Sequence, residues 1–382
     1  MLVQHQIGLL VFLIVILVIA LSNLRYLKPL SDKRESRVFP RVSILLPARN
    51  EEFNIESCVL SLLAQDYHDF QVVVLDDESS DSTWQIMVNL ASEDDRMRII
   101  KGKPLPEGWI GKNWACHQLS QAADGELLLF TDADTRHHPT ILHAAVSATM
   151  AEEADLITAI PHQEVTSWAE RLTIPVIFFC MMCFVPLGLA YRLKAPILSA
   201  TIGQFMMFRK NAYEKIGGHA AIKRNAVDDI ALGRNIKSLG LRWHLYDGRD
   251  RIRCHMYKDF RQVYEGLSKN LFAVFNYKLI ITLFIWIWLS VVFFSPLIVL
   301  GLWFIGVHIP SLSLILAAAS VAIAGMLWGI TYWRFGFPRY LTFLYPVSMI
   351  LIFTIAMSSI ILTLTGRTTW KGRTLIRHEV HW

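Results

Sequence analysis

The turn after the first strand-like run of this 382-residue chain contains no glycine. The run Arg41 to Ala48 passes directly into Pro47-Ala48-Arg49-Asn50-Glu51-Glu52. A dinucleotide-binding sheet needs a glycine-rich turn at that place so that backbone can approach a pyrophosphate, and a P-loop needs one for the same reason. Both are excluded as ways of holding a nucleotide. Cysteine is also scarce, at five residues. Cys180 and Cys183 form a CxxC, but they lie inside IFFCMMCFVP with no second Cys or His pair at zinc spacing, and apolar packing is the favoured reading. Basic residues do not interleave with aromatics across a domain, which argues against nucleic acid as a partner. The last three apolar blocks carry no acidic residue, so a proton-coupled transporter would lack its intramembrane carboxylate.

What is present in abundance is hydrophobic run. Residues 7–22 carry no charge, and apolar blocks follow at about 279–306, 311–331 and 341–365, each near or above the roughly 20 residues that span a bilayer. The first block has basic flanks and no convincing cleavage site, so it reads as an uncleaved anchor covering residues 1–30. The chain is therefore expected to be a multi-pass protein of the cell membrane. One large soluble domain, 38–275, fits between the first and second blocks. Of the net charge of +5, Arg25, Lys28, Lys33, Arg34 and Arg37 follow the first span, which places the soluble domain in the cytoplasm by the positive-inside rule. The stretch Ile174 to Leu189, interrupted by Pro175 and Pro186, is short and kinked; it reads as an interfacial segment at about 170–190, with a buried core helix as the alternative. The C-terminal region holds a conflict. Three spans over 279–366 would leave the basic tail 367–382 outside, whereas Arg367, Lys371, Arg373 and Arg377 favour the inside. A re-entrant or split block would remove it.

Within the soluble domain, a strand ending at Pro47, a helix over Asn54–Ala64 and a strand from Gln71 form a βαβ unit. A second unit follows, with a helix over Ser82–Ala91, a strand over Met97–Ile100, a helix over Trp114–Ala123 and a strand over Leu127–Phe130. Ligands of open α/β sheets bind beyond the carboxyl ends of the strands. Pro47 to Glu52, Asp76-Asp77 and Asp132-Ala133-Asp134 all fall there. Two carboxylates one residue apart must repel or share a cation, and Mg²⁺ or Mn²⁺ takes oxygen ligands and commonly bridges to phosphates. The alternative is that Asp132 to Thr135 is a turn and helix N-cap.

With VSILLPARNEE, VVLDDESSDST, LLLFTDADT, the block Gly203 to Gly218 and VDDIALGRNIKSLG at Val227 to Gly240 in hand, the chain resembles glycosyltransferase family 2, inverting enzymes of the GT-A fold. Within that family LPEGWIGKNWACHQ, ERLTIPVIFF, YEGLSKN and TWKGR are most similar to membrane glycosyltransferases associated with hopanoid and carotenoid (diaponeurosporenoate-type) biosynthesis. The resemblance implies an α/β GT-A domain between N- and C-terminal transmembrane helices, a UDP-sugar donor and a membrane lipid acceptor. It assigns Pro47, Arg49 and Glu51 to the nucleotide pocket, Asp76 and Asp77 to uracil and ribose, and Lys112 to the donor. Asp132 and Asp134 would hold Mg²⁺ or Mn²⁺, Asp132 also facing the substrate. Asp229 is the implied catalytic base, with Asp228 where the family has Glu; helix capping is the rival role for this pair. The processive motif Gln/Arg-x-x-Arg-Trp is missing, since Arg261 to Asn270 does not match it. Transfer of one sugar, glucose, to a polyisoprenoid-type lipid is thus the leading expectation, with polyprenyl-phosphate, glycolipid or polysaccharide transfer and a non-catalytic scaffold or lipid transporter as alternatives. Lys269, Arg261, Lys371 and Arg373 are further candidates for the diphosphate. His137, His138 and His255 are candidates for the metal.

Overall fold

The computed structural model describes residues 1–31 and 39–382. Lys33, Arg34 and Arg37 of the basic cluster lie outside the described residues. The centre is a seven-stranded sheet in the order 97–101, 70–76, 42–48, 127–130, 206–209, 156–160, 243–247. Strand Val42–Ala48 pairs in parallel with Phe70–Asp76 on one side and Leu127–Phe130 on the other, with Leu45 opposite Phe130 and Ala48 opposite Asp76. Both faces are covered, and these strands read accordingly as nearly unbroken Val, Leu and Ile, almost all buried. The one antiparallel insertion, Met206–Arg209, sits between strands 127–130 and 156–160. A three-stranded sheet of 135–137, 252–254 and 162–163 lies beside it.

The early helices form at Ile55–Leu63, Thr83–Ala91 and Gly111–Ala122. The third starts three residues ahead of its expected boundary, which puts Lys112 in its first turn. Asp132 caps no helix. A strand, Thr135–His137, follows the two aspartates directly, and the next helix begins only at Ile141 behind Thr140.

Among the described residues four helices are long and apolar enough to cross a membrane: Leu2–Tyr26, Leu279–Phe304, Ser311–Phe335 and a last one ending at Leu364. Helix Trp168–Phe184 docks across them, opened by a capping box in which Ser167 and Glu170 satisfy each other's backbone N–H groups. It keeps Pro175 inside. Phe179 stacks on Trp328 at 4.2 Å and Phe178 meets Phe335 at 5.0 Å. The segment therefore packs on the long apolar helices, and its far end is held by Asn23, whose Nδ2 donates to Met182 O at 2.9 Å and Val185 O at 2.7 Å while Oδ1 accepts from Leu187 N at 2.9 Å.

Contacts at both ends of the last helix bear on the conflict over the tail. Arg334, which closes the preceding helix, pairs with Asp247 of the central sheet. Tyr340 lies against Trp168 and Arg171. At the other end Ser359 bonds Ser268 and Phe272 of helix Phe260–Ala273, and the tail continues onto the mouth of the central sheet. The last apolar helix starts and finishes on the face of the soluble domain. The tail thus packs against the soluble domain.

Candidate active site

The sheet delivers its polar residues to one edge because each strand stops where its apolar run stops. Arg49, past the end of strand 42–48, donates from Nη1 to Asp77 O at 2.5 Å, and Asp77 N donates to Ala48 O at 2.8 Å. Glu51 is fixed by its backbone N–H on Thr83 Oγ1 at 2.8 Å and by Asn54 Nδ2 on its carboxylate at 2.9 Å. Asp76 is buried with Oδ1 unpartnered. Burial pushes the Asp77 carboxyl upward against the pull of Arg373 and Arg49. Pro47 ends the same strand, opposite Leu75. These five expected nucleotide residues share one edge.

Lys112 joins them to the rest. Its Nζ lies 2.8 Å from Asp132 Oδ1 and 3.3 Å from Asp228 Oδ2, so one ammonium bridges the aspartates after strand 127–130 and the first turn of helix Asp228–Ser238. Burial alone would lower its pKa; the two carboxylates outweigh burial and hold it well above the usual lysine value. Asp228 is likewise held below the usual range: burial opposes ionisation, but Lys112 and His219 override it.

Asp229, next in the chain, is pushed up to about 7 by burial and by the Asp228 charge. Its carboxylate accepts Gly203 N–H at 3.0 Å and Ile230 N–H at 2.7 Å, and neither aspartate is the N-cap, which is Val227. A Cβ at Gly203 would stand 3.3 Å from Asp229 Oδ2 and press on that carboxylate. Asp134 also rises to about 7, through burial and then the charges of Asp132 and Glu51, and its Oδ1 is buried with no partner.

Two adjacent carboxylates, one with an orphaned oxygen and a proton held only for want of a neutralising charge, fit a hard divalent cation that keeps other positions for substrate. Among the described residues no group of three or more His, Cys, Asp or Glu is assembled as a cage. The histidines do not complete one. His137 is buried beside Thr131 and pushed down to about 3 by burial, His138 turns to Thr140, and His255 directs Nε2 to Glu170 at 3.4 Å while its backbone N–H binds Asp134 O. Arg261 is exposed.

Residues 43–217 match the family model described as Glycosyl transferase family 2. Over that stretch the chain is similar to family 2 glycosyltransferases. The curated relatives include the 4,4'-diaponeurosporenoate glycosyltransferase of Staphylococcus haemolyticus, 25% identical over 252 residues, covering 65% of this chain and 66% of that protein. That of Staphylococcus aureus strain USA300 is 26% identical over 239 residues, with 60% of each chain covered. The chain thus spans a little under two thirds of the length of the relatives it matches. Among solved structures, the mannosyltransferase PcManGT of Pyrobaculum calidifontis, in complex with GDP-Man and Mn²⁺, superposes with a TM-score of 0.53 over 98% of this chain and 100% of that one, at 15% identity. That likeness establishes the GT-A fold.

Three contributors to this site were not identified by residue-by-residue reading. Asn113, buried beside Lys112, donates to Ile222 O at 3.0 Å and Asn225 O at 2.9 Å and so tethers the loop that leads into Asp228. His219 is fully buried, bonded to Tyr213 Oη at 2.7 Å, and faces Asp228. Gly203 carries the Asp229 carboxylate. Asn113 stood next to Lys112 in GKNW and Gly203 opened the motif block 203–218, but nothing in the sequence pointed to His219.

Proposed function

We propose that this chain is a membrane-bound inverting glycosyltransferase that moves one sugar, glucose being the first to test, from a UDP-sugar to a polyisoprenoid-type lipid of carotenoid or hopanoid-like character. The observation that carries the reading is the Lys112 ammonium joining Asp132 to Asp228, which gathers the donor edge of the sheet and the candidate base into one site. Pro47, Arg49, Glu51, Asp76 and Asp77 form the nucleotide side. Asp229 accepts the proton of an acceptor hydroxyl as that oxygen bonds the anomeric carbon from the face opposite UDP, and UDP departs with the electron pair of the broken C–O bond. Burial and the Asp228 charge, opposed by Lys112, hold the Asp229 carboxyl at about 7, where a base both is ionised and takes up a proton readily.

Asp134 and Asp132 would hold Mg²⁺ or Mn²⁺, which when bound neutralises the charge of the UDP leaving group. The lipid side is supported by helix Phe260–Ala273, which packs on the last apolar helix and brings Lys269 among the charges of Lys112, Asp228, Asp132 and Asp229. An acceptor dissolved in the bilayer can therefore reach the acids from the membrane plane. The carotenoid character of the acceptor follows the names of the relatives.

The test is transfer of radiolabelled sugar from UDP-glucose into the lipid extract of membranes containing the wild-type chain, the Asp229→Asn variant, or wild type with EDTA. Label in lipid only for untreated wild type is expected, and chromatography of that lipid names the acceptor. Label persisting in Asp229→Asn removes the base; none in wild type removes UDP-glucose as donor.

A further inference from the structure

The chain ends in a hairpin that reaches back into the donor edge. Strands Thr369–Trp370 and Arg373–Thr374 pair antiparallel around Lys371 and Gly372, both with positive φ (46° and 76°), the signature of a two-residue turn whose twist suits a hairpin. At its tip the Lys371 ammonium binds the Glu51 carboxylate and, at 3.0 Å, Arg49 O. Arg373 Nη1 lies 2.6 Å from Asp77 Oδ2, and its other nitrogen binds Glu78. Trp370 lies over Lys269 Nζ at 4.5 Å, and Thr369 Oγ1 donates to Glu265 at 3.2 Å, so the hairpin is seated on helix Phe260–Ala273 as well.

Resting on the function proposed above, the hairpin occupies the same carboxylates that the nucleotide would use. Two outcomes are conceivable when a nucleoside diphosphate arrives. A strap of acidic character would be expelled by the anionic ligand. This one is cationic, and an anion attracts it. The edge is itself rich in carboxylate, from Glu51, Asp76, Asp77 and Glu78 to Asp132 and Asp134, so a diphosphate entering it needs neutralising charge on the side away from Lys112.

We propose that the Thr369–Thr374 hairpin is part of the donor site, and that Lys371 and Arg373 are binding residues for the diphosphate, handed over from Glu51, Asp77 and Glu78 when the nucleotide sugar binds. The carboxylates act as place-holders that keep the two cations at the pocket in the donor-free protein. The transfer leaves Asp77 free to accept from the base. The hairpin's attachment by Gly366, at φ 68°, to the end of the last apolar helix gives it a short pivot.

The experiment measures binding of UDP and of uridine, which lacks the phosphates, to the full chain in detergent by calorimetry, for wild type, the double variant Lys371→Gln/Arg373→Gln and the charge-keeping Lys371→Arg/Arg373→Lys. The expected result is UDP binding weakened at least tenfold in the Gln variant, restored in part by the charge-keeping one, with uridine binding unchanged or tighter. As a check independent of any variant, trypsin cleavage of the wild type after Lys371 and Arg373 is expected to slow when UDP is added. UDP binding that is unchanged or tighter in the Gln variant, or cleavage that speeds up with UDP, overturns the proposal and makes the hairpin a plug. Wild type that binds GDP or ADP but not UDP removes the donor assignment alone, and the same comparison is then made with that nucleotide; wild type that binds none overturns both.

Discussion

Asp229 and Asp134 share an unusual condition: each carboxyl is pushed up to about 7, one by burial beside Asp228 and the other by burial beside Asp132 and Glu51. As a base, Asp229 works only when ionised, so kcat/KM is expected to rise with pH through about 7 and level off above it. Asp228→Asn removes the neighbouring charge and should move that limb to lower pH, while Asp229→Asn should cost about 10²–10⁴ in kcat; pH–rate profiles of lipid labelling check both. The same shifts bear on stability. Between about pH 4 and 7 these two carboxyls hold protons that they release on unfolding, so their contribution to ΔG of unfolding falls as pH rises through that window. Mn²⁺ or Mg²⁺ should therefore raise the melting temperature more at pH 7.5 than at pH 5.5, and Asp134→Asn should abolish that increment in a thermal-shift assay. The carboxylates themselves were legible as residue types. Their pKa values were not, because burial and the Lys112 bridge join residues more than ninety positions apart.

At the scale of elements, the apolar runs located strands 42–48, 97–101 and 127–130, and the start of strand 70–76, to within a residue or so, since a strand buried on both faces has to be apolar throughout. It could not say whether Ile174 to Leu189 lies in the core or at an interface, because an apolar helix has the same composition in either place. The structure shows helix Trp168–Phe184 stacked on Trp328 and terminated by the Asn23 side chain, itself wholly buried within the first long helix. Asn23→Ala would leave two carbonyls and one N–H without that partner, at about 1–3 kcal/mol for each unsatisfied group. A drop of at least about 3 kcal/mol in unfolding free energy is expected by denaturant titration in detergent, with retained helical signal. The hairpin Thr369–Thr374 lay in a stretch whose cations were equally credible as membrane-surface charges; only its contacts with Glu51 and Asp77 separate the two roles.

For the molecule as a whole, the return of the last apolar helix predicts a topology that labelling can read. A cysteine introduced at exposed Glu379 in the tail should react from the same side of sealed vesicles as one at exposed Glu107, and one at exposed Gly306, between two long helices, from the opposite side. Labelling of Glu379→Cys from the Gly306 side would contradict the observed fold. By itself the sequence determined that the chain has a mostly parallel α/β domain between apolar helices and which acids stand at its strand ends, because an unbroken apolar run and the polar residues that end it are local features and have to satisfy backbone and burial wherever the chain goes. It determined too that no glycine-rich loop follows the first strand. Only the tertiary structure decided that the tail packs on the mouth of the sheet, that one lysine couples two pairs of aspartates, and that residues 371 and 373 sit beside residues 51 and 77. Those facts depend on packing between segments up to about three hundred residues apart, and nothing in the spacing of side chains along the chain encodes such a distance.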